Sequence, residues 1–283
     1  MPELPEVETI VRGLSPDLPG RTIEAVRVLR PDVLRQPPRA FSAELTGRTF
    51  DSVSRRGKNI VARLKGDTVL VVNLGMTGRL LLLPEKGPET THPAVRFTLD
   101  TGRQLVFDDV RRFGVLEVFS VSEWTTRSRR LGPEPLSPTY TARTLSAGLT
   151  ESVSPIRSWL LDQRRLVGVG NIYANEALHV AGIHPRRPAK SITGGEARGL
   201  HRALRRTLRQ AIANRGTTLR DYRDATGVPG ENAAALRVYG RAGNPCPRCS
   251  TMIERIVFGN RSAFLCPECQ PYDPGEQPSG EQP

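Results

Sequence analysis

The chain begins Met1-Pro2-Glu3-Leu4-Pro5-Glu6-Val7-Glu8. Removal of Met1 before so small a residue would leave Pro2 with a free secondary amine. An α-amine titrates near pH ~7.7–8.0, so part of it is unprotonated at neutral pH. Such an amine attacks sugar or carbonyl carbons to form a Schiff base. Glu3 stands beside it as a candidate proton donor or acceptor. The same residues also suit a helix start, where proline takes the first turn and acids favour the dipole. On these residues alone both readings stay open.

All four cysteines fall in two Cys-x2-Cys pairs, Cys246/Cys249 and Cys266/Cys269. Two such knuckles complete a tetrahedral thiolate site for one structural zinc ion. Disulfides or a redox motif are the alternative. Cysteines of one knuckle are poorly placed for structural disulfides. Acids at Glu3, Glu6 and Glu8 do not fit an export signal, so nothing points to an oxidising compartment. Four protein ligands leave no open position, so this zinc holds a fold and does no chemistry.

Composition narrows the partners. The chain has 283 residues, a formal charge of +12 and a pI near 10.4. This length allows two domains, and the charge favours a polyanionic partner such as nucleic acid. Aromatic residues make up 5% of the chain, too few for a base-stacking platform. No apolar run approaches the roughly 20 residues that span a membrane.

The elements that must carry these groups follow from periodicity. Val7, Ile10, Val11 and Leu14 predict an amphipathic helix from about Pro5 to Leu14. Strands are expected at 22–29, 59–64, 68–73, 95–99, 104–107 and 115–119, a spacing that suggests a sandwich or barrel. The proline-rich run Gly132-Pro133-Glu134-Pro135-Leu136-Ser137-Pro138 predicts a domain boundary. Beyond it, helices are expected over 155–163, 171–180 and 196–214. The second follows Gly168-Val169-Gly170 and is expected to be capped by Asn171, an outline of helix-turn-helix whose exposed amides suit phosphate. Arg198, Arg202, Arg205, Arg206 and Arg209 give the third a basic face. Residues 216–235 read as a mobile loop and 271–283 as a disordered tail. His179, His184 and His201 form no cluster and take no role.

Taken in order, these segments resemble the formamidopyrimidine-DNA glycosylase / endonuclease VIII family over about residues 2–270. The resemblance rests on Pro-Glu-Leu-Pro-Glu-Val-Glu-Thr at the start, Arg55-Arg56-Gly57-Lys58 and Asn73-Leu74-Gly75-Met76-Thr77-Gly78. It extends through Asp108-Asp109-Val110-Arg111-Arg112-Phe113-Gly114, Gly132-Pro133-Glu134-Pro135-Leu136 and Val169-Gly170-Asn171-Ile172-Tyr173-Ala174-Asn175-Glu176. It closes with Val238-Tyr239-Gly240-Arg241 and the cysteine ribbon. The opening resembles the formamidopyrimidine branch; the other branch usually opens Pro-Glu-Gly-Pro-Glu.

The resemblance implies an α+β fold: an N-terminal β-sandwich opened by a helix (2–131), a linker (132–150), a helical helix–two-turn–helix domain (151–237) and a zinc ribbon (238–270). It implies a bifunctional DNA glycosylase and abasic-site lyase that removes oxidised purines, 8-oxoguanine and formamidopyrimidines, from double-stranded DNA by β,δ-elimination. A cytoplasmic, nucleoid-associated monomer is expected, with no membrane partner and no diffusible cofactor. Pro2 is implied as the nucleophile, Glu3 as acid/base, with Lys58 and Arg261 completing the catalytic set; Glu6 supports the site. Met76, Arg111 and Phe113 correspond to the trio that fills the space of the flipped base. His92, Arg157 and Asn171 correspond to DNA-contacting positions. Two residues depart from the family pattern: Asn73 stands where histidine is commoner and Arg157 where lysine is commoner. Two rival readings are a damage-binding protein on the same scaffold and an enzyme for oxidised pyrimidines.

Overall fold

The structure, a computed structural model, describes residues 2–87, 89–258 and 261–272. Its contacts divide the chain into two compact units. One comprises Met1–Pro135, Leu166–Val169 and Leu208–Ala235; the other comprises Leu136–Arg165, Gly170–Thr207 and Leu236–Pro283. The first break falls inside the proline-rich run. The expected disordered tail and the tip Gly259-Asn260 lie largely or wholly outside the described residues.

The first unit opens with helix α1 (Leu4–Leu14). Strand β1 (Ile23–Val28), helix α2 (Pro38–Leu45) and strands β2 (Phe50–Arg56), β3 (Asn59–Leu64) and β4 (Thr68–Asn73) follow. Next come β5 (Arg79–Leu83), β6 (Pro93–Leu99), β7 (Gln104–Asp108), β8 (Val115–Phe119) and helix α3 (Val121–Ser128). The strands form two four-stranded sheets, β1-β6-β7-β5 and β2-β3-β4-β8, with every pairing antiparallel. Both sheets feed one core: Val7, Ile10 and Leu14 of α1 join Phe97 and Phe107 of one sheet and Ile60, Leu70 and Leu116 of the other. Strands β3 and β4 are buried on both faces. Alternate residues Val61, Val69 and Val71 turn outward and pack under Trp124 of α3.

Strands β2 and β5 are not among those expected from sequence, and the reason is physical. Each is an edge strand; β2 is half-polar, and β5 is an unbroken leucine run without alternation. Residues 216–235 also differ from the expected mobile loop. Tyr222 and Ala225 enter the first unit's core. Arg79 Nε donates to the Asp221 carbonyl at 2.8 Å, and the Leu82 N–H to the Ala225 carbonyl at 2.9 Å.

The second unit holds helices α4 (Ala142–Thr150), α5 (Ile156–Leu161) and α6 (Asn171–Ala181). It also holds most of α7 (Gly194–Ala213) and a ribbon of β9 (Glu254–Phe258) paired with β10 (Arg261–Leu265). Helix α4 lies inside the stretch expected to be a linker. Leu145, Leu149, Trp159, Leu160, Tyr173, Leu178, Leu200 and Leu204 are buried. Arg198, Arg202, Arg206 and Arg209 of α7 are exposed, whereas Arg205 donates to the Ser137 carbonyl at 2.9 Å. No helix of the described residues is long and apolar enough to cross a membrane.

Candidate active site and zinc ribbon

Pro2 and Glu3 are buried at the start of α1. Glu3 is the N-cap residue, with extended backbone, and shares a capping box with Glu6. One arm runs from the Glu3 N–H to Glu6 Oε2 at 2.8 Å; the other returns from the Glu6 N–H to the Glu3 side chain. Glu6 Oε1 accepts the Thr217 N–H at 2.7 Å, and the Tyr222 hydroxyl donates to the Glu6 carbonyl at 3.3 Å. Glu3 and Glu6 are 2% and 1% exposed. Such carboxylates are tolerable only when hydrogen-bonded. The Leu4 N–H donates to the Gly168 carbonyl at 3.0 Å. The N-terminus is thus fastened to α1 itself, to the strap 166–169 and to the 217–222 segment. Such a seat fixes the backbone of residues 2 and 3 and occupies the Glu3 side chain with the capping box.

Lys58 occupies the two-residue turn between β2 and β3, set by the Arg56–Asn59 pairing. Gly57 has φ 61°, and a Cβ there would lie 2.2 Å from Val167 Cγ2. Only glycine suits both that backbone and that approach. The turn therefore touches the same strap that receives Leu4. Glu134 anchors it: its carboxylate accepts from Arg55 Nη1 at 2.7 Å, Arg56 Nη1 at 3.1 Å and the Gly57 N–H at 2.7 Å. Arg56 Nη2 donates to the carbonyls of Leu131 and Gly132, each at 2.8 Å. Arg55 Nε reaches Glu8 Oε2 of α1 at 3.0 Å. Burial alone would raise the Glu8 carboxyl, but hydrogen bonds from Arg12 and Arg55 outweigh it and hold the group below its usual value. Two segments far apart in sequence, Arg55–Gly57 and 131–134, are one network.

Met76, Arg111 and Phe113 lie on two loops that touch. Gly75 has φ 58°, and a Cβ there would meet the Phe113 carbonyl carbon at 2.5 Å. Buried Asp109 joins the loops. Its carboxylate accepts from Thr77 Oγ1 at 2.5 Å, the Gly114 N–H at 2.8 Å and the Arg111 N–H at 3.2 Å. The Arg111 guanidinium lies 4.6 Å over the Phe113 ring. Met76 and Phe113 are 41% and 55% exposed, unusual for large apolar side chains. Asn73 is spent internally: its Nδ2 donates to Asn59 Oδ1 at 2.9 Å, and its Oδ1 accepts the Gly75 N–H at 3.0 Å. His92 is exposed, with its N–H on Asp108 Oδ2 at 2.7 Å.

In the second unit, Arg157, Asn171 and the start of β10 meet. Arg157 is 1% exposed. Its Nη2 donates to Asn171 Oδ1 at 2.6 Å and to the Ser262 carbonyl at 3.0 Å, and Phe258 lies 4.9 Å beneath its guanidinium. Burial, then the neighbouring Arg261 charge, pulls Arg157 below the ordinary arginine value. Arg261 itself is exposed. The N-cap of α6 is Gly170, not the expected Asn171. Asn171 is the first helical residue, and its side chain is turned to Arg157 and the Ser262 carbonyl. A glycine cap has no side-chain signal beyond backbone permissiveness, so sequence alone favours the asparagine.

The four cysteine sulfurs lie within 4.8 Å of one another. Sulfurs this close repel as thiolates: burial and then the neighbouring sulfurs raise Cys269, whereas hydrogen bonds from Thr251 bring exposed Cys249 down to about 6. Backbone N–H groups of Arg248 and Cys269 point at Cys246 and Cys266 Sγ, each at 3.4 Å. A donor set of this kind fits one tetrahedral zinc ion, which relieves the repulsion and closes the ribbon.

Known proteins are similar to this chain in sequence and fold. The formamidopyrimidine-DNA glycosylase N-terminal domain matches residues 1–116, its H2TH domain residues 131–223, and a zinc finger found in FPG and IleRS residues 243–271. A formamidopyrimidine-DNA glycosylase of Moorella thermoacetica is 48% identical over 90% of this chain and 94% of its own. A point mutant of the Lactococcus lactis FPG, solved with Fapy-dG containing DNA, superposes with TM-score 0.90 at 32% identity, covering 96% of this chain and 100% of that one. The wild-type Lactococcus protein, solved with an oxidised pyrimidine containing DNA, gives 0.89 at 31% identity with the same coverage. This chain belongs to the formamidopyrimidine-DNA glycosylase family.

Proposed function

We propose that the chain is a bifunctional glycosylase and abasic-site lyase that excises 8-oxoguanine and formamidopyrimidines from duplex DNA, with Pro2 as nucleophile. Family membership makes it a DNA repair glycosylase. The observation that carries the finer reading is the buried, capping-box seat of Glu3 beside Pro2.

With Met1 removed, the Pro2 nitrogen attacks C1′ of the flipped nucleotide. The base departs with the glycosidic electron pair and takes up a proton. Glu3 relays the proton that opens the sugar ring, leaving an iminium between Pro2 and C1′. The iminium acidifies C2′. Loss of a C2′ proton expels the 3′ phosphate with the C3′–O pair, and loss of a C4′ proton then expels the 5′ phosphate with the C5′–O pair. Lys58, on the turn clamped by Glu134, serves the same centre, and Arg261 grips phosphate. Met76 and Phe113 are the wedge that offsets unstacking, and Arg111 reads the orphaned base. His92 and Asn171 meet the backbone, while buried Arg157 supports Asn171 and the ribbon. Zinc holds the ribbon that aims Arg261. The protein acts as a monomer.

A guanidinium suits the acceptors of cytosine, so 8-oxoguanine opposite cytosine should be cut faster than opposite adenine. Oxidised pyrimidines are the second reading, favoured by the Lactococcus relative solved on such DNA. Turnover on duplexes carrying 8-oxoguanine, formamidopyrimidine or 5-hydroxycytosine decides. Preference for the first two supports the proposal; preference for 5-hydroxycytosine replaces it; binding without turnover leaves a damage-binding protein.

A further inference from the structure

His179 belongs to none of the segments with an assigned task, yet it is fully buried on α6. Its Nε2 lies 3.4 Å from Cys246 Sγ. Its Nδ1 is buried without a hydrogen-bond partner. These two facts place the proton. A proton on Nδ1 would bury an unpaired N–H and turn the Nε2 lone pair toward the sulfur's own; a proton on Nε2 makes a bond and leaves only a spare acceptor. The Arg248 N–H approaches the same sulfur at 3.4 Å, so Cys246 is a ligand with two donors.

The residue is one of a row. Asn171, Asn175 and His179 recur every four residues along α6, with Glu176 beside them. Each touches the ribbon or the segment that leads into it. Asn171 Nδ2 donates to the Ser262 carbonyl at 3.0 Å, and Asn175 Oδ1 accepts the Phe264 N–H at 2.9 Å. The Glu176 carboxylate accepts the N–H groups of Arg237, Val238 and Tyr239 at 2.8–2.9 Å. His179 is the member that reaches the metal site.

We propose that His179 is an outer partner of the zinc centre: its Nε2–H donates to the Cys246 thiolate and binds the first knuckle to α6. A charge-assisted bond draws charge off the sulfur and restrains it, so it slows loss of the ion. Outer partners of metal ligands typically control affinity by roughly 10–100-fold.

The test uses the full-length zinc-loaded protein. Zinc transfer to a colorimetric chelator is timed for wild type, His179→Phe and His179→Gln, with thermal unfolding recorded in parallel. Phe fills the space without a donor; Gln keeps one. Release roughly ten-fold faster in His179→Phe, restored toward wild type in His179→Gln, is expected. Equal release in all three, each folded, overturns the proposal. A measurement on the wild type is independent of variant folding. With 113Cd in place of zinc, scalar coupling between the metal and the His179 Hε2 proton is expected, whereas a proton found on Nδ1 contradicts the assignment.

Discussion

The two units hold their functional groups by different means. In the first, carboxylates gather backbone N–H and arginine groups. Glu6 ties Glu3 to Thr217, Glu134 clamps the Lys58 turn, and Asp109 joins the Met76 and Phe113 loops. In the second, the ribbon that carries Arg261 has little apolar core of its own: Val238, Cys246, Ile253 and Cys266. It depends on a metal site and on one face of α6. The first kind of scaffold should be proof against chelators but sensitive to each carboxylate; the second should be sensitive to chelators, and it shares with the first a carboxylate clamp, Glu176 on the N–H groups of residues 237–239.

The largest effect should come from Glu3→Gln. Glutamine retains an acceptor for the capping box but cannot exchange a proton, so excision should fall ~10²–10⁴-fold. Gel assays would show this; near-normal excision would place the acid/base elsewhere.

Zinc removal should split the units next. Chelation, or Cys266→Ser, should melt the ribbon and weaken binding to lesion DNA while the first unit's thermal transition stays put. Loss of both transitions together would show that the scaffolds are not independent.

Glu134→Gln comes third. A carboxylate accepting from two arginines and one N–H is replaced by a weaker acceptor with an ill-matched amide, a cost of about 1–3 kcal/mol. Cleavage of abasic sites should slow, and calorimetry should show the first unit's transition lowered.

Phe113→Ala should leave stability within about 0.5 kcal/mol, since the ring is more than half exposed. It should lower excision from duplex DNA far more than cleavage of a preformed abasic site, because only the former needs the wedge. Equal losses would remove Phe113 from that role.

The smallest effect concerns pH. The Glu8 carboxyl is held below its ordinary value of 4.5 in the folded chain. Its stabilising contribution is therefore present above that value and lost as pH falls through the lowered one. Glu8→Gln should flatten the acid limb of the first unit's stability profile; an unchanged limb would mean that the Arg55 contact is idle.

Much of this is legible in order along the chain. Cysteine spacing, the α1 stripe and most strands follow from local periodicity. What is not legible joins residues far apart in sequence. Glu134 meets Gly57, Thr217 meets Glu6, and His179 meets Cys246. No spacing rule links such pairs, because the fold alone brings them together. The resemblance sets Arg157 among the DNA-contacting positions; the structure buries it and turns its guanidinium to Asn171 and the Ser262 carbonyl. Glycine at the α6 cap escapes notice because its contribution is the absence of a side chain.

In the proposed reaction the residue-2 nitrogen becomes covalently joined to the sugar. Mature enzyme incubated with an 8-oxoguanine duplex and borohydride should yield a protein–DNA adduct. After digestion, mass spectrometry should place the adduct on an N-terminal peptide beginning at Pro2. An adduct on Lys58 with Pro2 unmodified would contradict the account.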